Sequence, residues 1–84
     1  MASAEEVEID GIRYNLIIKA GEAELRRVPT NFTGEFIIPE SISYNGVDYQ
    51  VTAISNSALS GCISLTSVTI PNSIKRIGGL AFYN

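Results

Sequence analysis

Ile38-Pro39-Glu40-Ser41-Ile42 and Ile70-Pro71-Asn72-Ser73-Ile74 are two versions of one phrase. A second echo overlaps the first: Ile54 with Ala58-Leu59 returns as Ile77 with Ala81-Phe82, 23 residues further on. Self-similarity at that period implies coils of chain stacked on one another, each burying an apolar side that it cannot bury alone. The two echoes differ in spacing. The Ile-Pro phrases lie 32 residues apart, nine more than the 23 of the other pair. The surplus falls between Ile42 and Ile54, around Asn45-Gly46, a two-residue turn signal because both residues tolerate positive φ. The first repeat therefore carries an inserted hairpin over residues 41–52. Ile42 should face Tyr49 and Tyr44 should face Val47, with Val51 on the same apolar side. Ser41, Ser43, Asp48, Gln50 and Thr52 fill the other side, the pattern of a sheet covered on one face only.

From Ile54 onward the apolar residues follow neither a strand nor a helix period. The reading is a short strand over Ser67–Ile70, helical turns near Ser57–Ser60 and Gly79–Tyr83, and inward apolar residues between them. Leu65, Val68, Ile70, Ile74 and Ile77 are expected to line one interior, each contributing ~1.5–3 kcal/mol when fully buried. Ile54 and Ile77 should occupy adjacent layers.

Working back toward the N-terminus, Asp10-Gly11 is another two-residue turn. Pairing outward sets Ile9 against Ile12, Glu8 against Arg13 and Val7 against Tyr14. Val7, Ile9, Ile12, Tyr14, Leu16 and Ile18 then share one face. Ala20-Gly21-Glu22 ends that strand. A third strand over Ala23–Val28 is closed by Pro29, Asn31-Phe32-Thr33-Gly34 is a turn, and Glu35–Ile38 is a further strand stopped by Pro39. The fold expected is mainly β: an N-terminal meander over residues 1–34 capping a repeat segment over 35–84, whose second repeat stops in mid-repeat at Asn84. The chain thus reads as the N-terminal piece of a longer array.

The motif Leu65-Thr66-Ser67-Val68-Thr69-Ile70-Pro71-Asn72-Ser73-Ile74-Lys75-Arg76-Ile77-Gly78, followed by Ala81-Phe82, resembles the BspA-type leucine-rich repeat of bacterial surface proteins. Tyr44-Asn45-Gly46-Val47-Asp48-Tyr49-Gln50-Val51-Thr52-Ala53-Ile54 resembles the hairpin that often precedes the first full repeat there. Residues 35–84 carry the resemblance; Leu59 stands where Phe is usual, and Ser55 where Gly is usual. The resemblance implies a leucine-rich repeat solenoid and an extracellular or cell-surface setting.

Composition narrows the chemistry. The 84 residues make one small domain that buries roughly 60% of its unfolded surface. A net charge of −3 gives no footprint for nucleic acid. No apolar run approaches the ~20 residues of a membrane span. Of 15 charged residues, 12 precede position 41, dividing a charged leader from a Ser/Thr-rich repeat section. There is no histidine, so no Ser-His-acid triad can form, and Cys62, the single cysteine, has no imidazole to activate it. Cys62 reads as a small buried hydrophobe. Glu5, Glu6, Glu8 and Asp10 lack the spacing of a calcium loop and read as solvated charge. So do Glu22 and Glu24, and the doublets Arg26-Arg27 and Lys75-Arg76. Asn31-Phe32-Thr33 matches a glycosylation acceptor. Tyr14, Tyr44, Tyr49, Phe32 and Phe36 are the material for a stacking platform, with Tyr44 and Tyr49 the pair to watch, although their place on the hairpin's apolar side favours the core.

The functional expectation is a non-enzymatic binding or adhesion module with a protein or glycan ligand, no cofactor and no catalytic or metal site. Ser67 and Thr69, with Tyr44 and Tyr49, are the candidate ligand surface. The alternative is a purely structural cap with no ligand of its own. Leu80, Phe82 and Tyr83 mark an apolar end through which copies of the chain are expected to self-associate.

Overall fold

In a computed structural model, which describes residues 4–79, eight short strands form two sheets. β1 (Ala4–Ile9) and β2 (Ile12–Ile17) form the first hairpin, in the register expected from its turn: Ile9 opposite Ile12, Glu8 opposite Arg13, Val7 opposite Tyr14. Asp10 (φ 54°) and Gly11 (φ 80°) both sit in the left-handed region that this turn demands. β5 (Ser41–Tyr44) and β6 (Val47–Ile54) repeat the device around Asn45 (φ 52°) and Gly46 (φ 79°), again with the expected pairs. β3 (Glu22–Arg27) lies between the hairpins. It is antiparallel to β2 and parallel to β6, so one sheet runs β1-β2-β3-β6-β5. The second sheet has β4 (Gly34–Ile37) parallel to β7 (Leu65–Thr69). β8 (Arg76–Ile77) adds to β6 in parallel.

The parallel pairings are the layering. Leu25 registers with Ile54, and Ile54 with Ile77. The same bond recurs one layer apart: Ser55 N–H donates to the Leu25 carbonyl at 2.9 Å, and Gly78 N–H to the Ile54 carbonyl at 2.7 Å. On the other side Phe36 registers with Val68. The leader is hydrogen-bonded into the repeat segment rather than laid against it. Val28 N–H donates to the Ala58 carbonyl, and the Cys62 thiol lies 3.6 Å from the carbonyls of both Val28 and Pro29. One core collects Val7, Ile12, Tyr14, Leu16, Leu25, Val28, Phe36, Ile38, Ile42, Tyr49, Val51, Ile54, Leu59 and Cys62.

Five expectations are corrected. Ser57–Ser60 forms turns, not a helical segment. Ala58 N–H bonds the Ser55 carbonyl and Ser60 N–H the Ser57 carbonyl, but Ser57 (φ 65°) and Gly61 (φ 78°) are left-handed and stop propagation. The other helical turn falls, from Leu80 on, outside the described residues. Ile18 leaves the apolar face: β2 ends at Ile17, and a 3-10 turn over Ile18–Ala20 swings Ile18 into solvent. Thr52 is buried, not on a wet face, because the β3–β6 register shifts there, Ala23 pairing with Val51 and Glu24 with Ala53, which breaks the alternation; its hydroxyl donates to Glu22 Oε1 at 3.3 Å. Finally, the second layer is only half dry. Leu65, Val68 and Ile74 pack against the core, but Ile70 (40% exposed) and Ile77 (49%) do not. The strand spans Leu65–Thr69 and leaves Ile70 outside it.

Candidate functional site

Alternation along β4 and β7 sorts their side chains. Phe36 turns inward, with Val68 half-buried beside it, while Glu35, Ile37, Ser67 and Thr69 turn outward and are exposed. Glu35 registers with Ser67 and Ile37 with Thr69, so the four make a two-by-two patch on a pleated surface. Ile37 is 61% exposed, an aliphatic side chain set among polar neighbours. No aromatic ring stands in this patch. Of the expected ligand residues, Ser67 and Thr69 are thus together and accessible. Tyr49 is in the core and Tyr44 is half-buried, both on the separate β5–β6 hairpin. Leu80, Phe82 and Tyr83 lie outside the described residues.

A second feature was only partly legible. A groove of about 440 Å³ is floored and walled by Ile9, Ile12, Tyr14, Phe32, Phe36 and Ile42, with Asp10 contributing a carboxylate. Phe32 and Phe36 meet edge to face with centroids 5.2 Å apart. The aromatic residues singled out from the sequence therefore divide: Tyr14, Phe32 and Phe36 converge here, whereas Tyr44 and Tyr49 do not. No local signal joins them, since a turn residue and two strand residues converge only through the fold. Burial, and then the nearby Asp10 charge, push the Tyr14 phenol up to about 12.

The charged leader makes a solvated ladder. Arg13 reaches Glu6 at 3.8 Å and Glu8 at 3.9 Å, Arg26 reaches Glu24 at 3.8 Å and Glu6 at 4.0 Å, and Lys75 reaches Glu22 at 4.0 Å. Such half-exposed pairs contribute about 0–1 kcal/mol each. Arg27 donates to the Ser57 carbonyl at 3.2 Å. The Cys62 thiol is buried; desolvation raises its pKa and Arg27 partly opposes this. No group of three or more metal-ligating side chains occurs among the described residues.

A family described as BspA type leucine rich repeat region (6 copies) matches residues 34–84. The chain belongs to this BspA-type family. Among curated proteins none matches. Two solved structures share the fold. A leucine-rich repeat protein from Bacteroides capillosus is 32% identical with a TM-score of 0.78, over 96% of this chain and 58% of that one. A leucine rich cell surface protein from Faecalibacterium prausnitzii is 25% identical with a TM-score of 0.81, over 99% of this chain and 22% of that one. The present chain therefore spans little more than half of the first of these proteins and about a fifth of the second.

Proposed function

We propose that this BspA-type chain is a non-enzymatic binding module of a bacterial cell-surface or secreted protein, engaging a protein ligand through the outward face of β4 and β7. The observation that carries this reading is the exposed patch of Glu35, Ile37, Ser67 and Thr69, with one aliphatic anchor inside a polar frame. That composition suits a protein surface; a glycan platform would want an aromatic ring, and none is present in the patch. The similarity to a cell surface protein supports the setting. Each further layer would extend the same face by one strand, which is how a solenoid builds a broad contact area.

The test is retention of the chain, immobilised on beads, over panels of extracellular proteins and of glycans. Wild type should be retained by a protein coat. The double variant Ser67→Gln, Thr69→Gln, which crowds the face without touching the core, should lose that retention. Retention by glycans alone would overturn the ligand class. Equal retention of both chains would overturn the assignment to this face; retention of neither would leave the alternative, a structural cap, which the parallel β3–β6 pairing favours because it covers one edge of β6. The same reading includes self-association through the second layer, where Ile70 and Ile77 are exposed.

A further inference from the structure

The second sheet stops where the first goes on. Beyond β3 lie β2 and β1, whereas β4 has β7 on one side and no described strand on the other. Gly34 N–H donates to the Ser64 carbonyl at 3.1 Å and Ile38 N–H to the Thr69 carbonyl at 3.0 Å, so residues 34, 36 and 38 address β7. By alternation, the main-chain N–H and C=O of Glu35 and Ile37 point the other way. They form an open edge.

The groove runs along that edge. None of its lining residues comes from β7. One wall is the closed end of the first hairpin, with Ile9, Asp10 and Ile12. The other follows the chain from Phe32 through Ile37 to Ser43. A row of unpaired main-chain groups beside a largely apolar groove is the receptor for an added strand, in which the main chain supplies affinity and alternate side chains supply specificity. A residue of that strand opposite Phe36 would point into the groove; its neighbours would stand on the outward side beside Glu35. The charges here are of one sign: Asp10 lines the groove, Glu35 stands on the adjoining face, and no basic residue lines it.

We propose that this groove binds an extended segment of a partner protein as a third strand on β4, with an apolar residue inserted between two basic ones. This site adjoins the outward face at Glu35 and Ile37 but uses neither Ser67 nor Thr69, and it does not depend on binding through them.

The probe is the peptide acetyl-Lys-Val-Lys-Ile-Lys-amide, titrated into the full chain and followed by amide chemical shifts. Saturable binding should move Glu35, Ile37 and Tyr14. N-methylating the peptide amides in one alternate frame should weaken binding about tenfold or more, and the other frame should be tolerated. Asp10→Asn keeps the turn chemistry and should weaken binding about two- to fivefold. Ser67→Gln with Thr69→Gln should leave it unchanged, which separates this site from the outward face. Equal effects of the two N-methyl frames, shifts centred on Ser67 and Thr69, or no saturation at millimolar peptide would each overturn the proposal.

Discussion

Two side-chain positions show how close packing and burial set the properties of this fold. Gly78 sits where successive layers touch. A Cβ there would strike the backbone nitrogen of Asn56 and lie 2.7 Å from its Cα, whereas one on Gly79 would meet only the Asn56 side chain at 3.8 Å. Gly78→Ala should therefore cost about 1–3 kcal/mol in urea unfolding, and Gly79→Ala within about 0.5 kcal/mol of nothing. The position equivalent to Gly78 one layer earlier is Ser55, which has room for a side chain and uses it to bond the Arg26 carbonyl at 3.3 Å. Tyr14 gives a pH signature. Folding raises its pKa from 10.0 to about 12, so between those values the unfolded chain has lost a proton that the folded one keeps. Stability is intact below pH 10 and falls as pH rises, by about 1.4 kcal/mol per unit, until the folded phenol ionises. Urea midpoints measured below pH 10 and just below pH 12 should show that drop, and Tyr14→Phe should remove this part of it. Thr52 is the residue the sequence misassigned. Alternation puts it on the polar side, and only the register shift against the non-local strand β3 reveals that the alternation breaks there.

At the scale of elements, legibility followed locality. Both hairpins were readable to the residue because Asp10-Gly11 and Asn45-Gly46 fix register through two adjacent φ angles. The Ile54–Ile77 pairing was readable because the chain repeats its own phrase. The parallel β3–β6 pairing was not, since nothing near Leu25 announces a partner 29 residues away. The groove was hidden for the same reason: its two walls are brought together by that pairing, and its aromatic residues belong to different elements. The layered arrangement predicts a gradient along the ladder. Ile54 is 1% exposed between two neighbours, whereas Ile77 is 49% exposed with one. Ile54→Ala should cost about 2–5 kcal/mol. Ile77→Ala should cost at most about 1 kcal/mol. Chemical unfolding of the pair checks this; equal costs would mean that the two isoleucines do not belong to successive layers.

For the molecule as a whole, the two ends of the stack are unequal. At the leader end, the charged β1–β2 hairpin completes the first sheet with Glu5, Glu6 and Glu8 along its outermost strand. Charges on an edge discourage strand pairing with another chain. At the other end, β7 is bonded on one side only among the described residues, carries Ser and Thr instead of charge, and is followed directly by the exposed Ile70, while Ile77 is exposed on β8. An uncharged open edge beside apolar surface is where a second copy would add, and an edge that meets its own copy closes about a twofold axis. The expected product is a dimer whose population rises with concentration. Its affinity is limited, because β7 offers only five residues of open edge. Sedimentation velocity over a wide concentration range should show the weight-average mass climbing from monomer toward dimer, and Ile70→Lys with Ile77→Lys should return it to monomer without loss of the fold, since neither side chain is buried. A mass fixed at the monomer value at the highest concentration would show that this end needs no covering, and the reading of the second layer as an unfinished surface would fail with it.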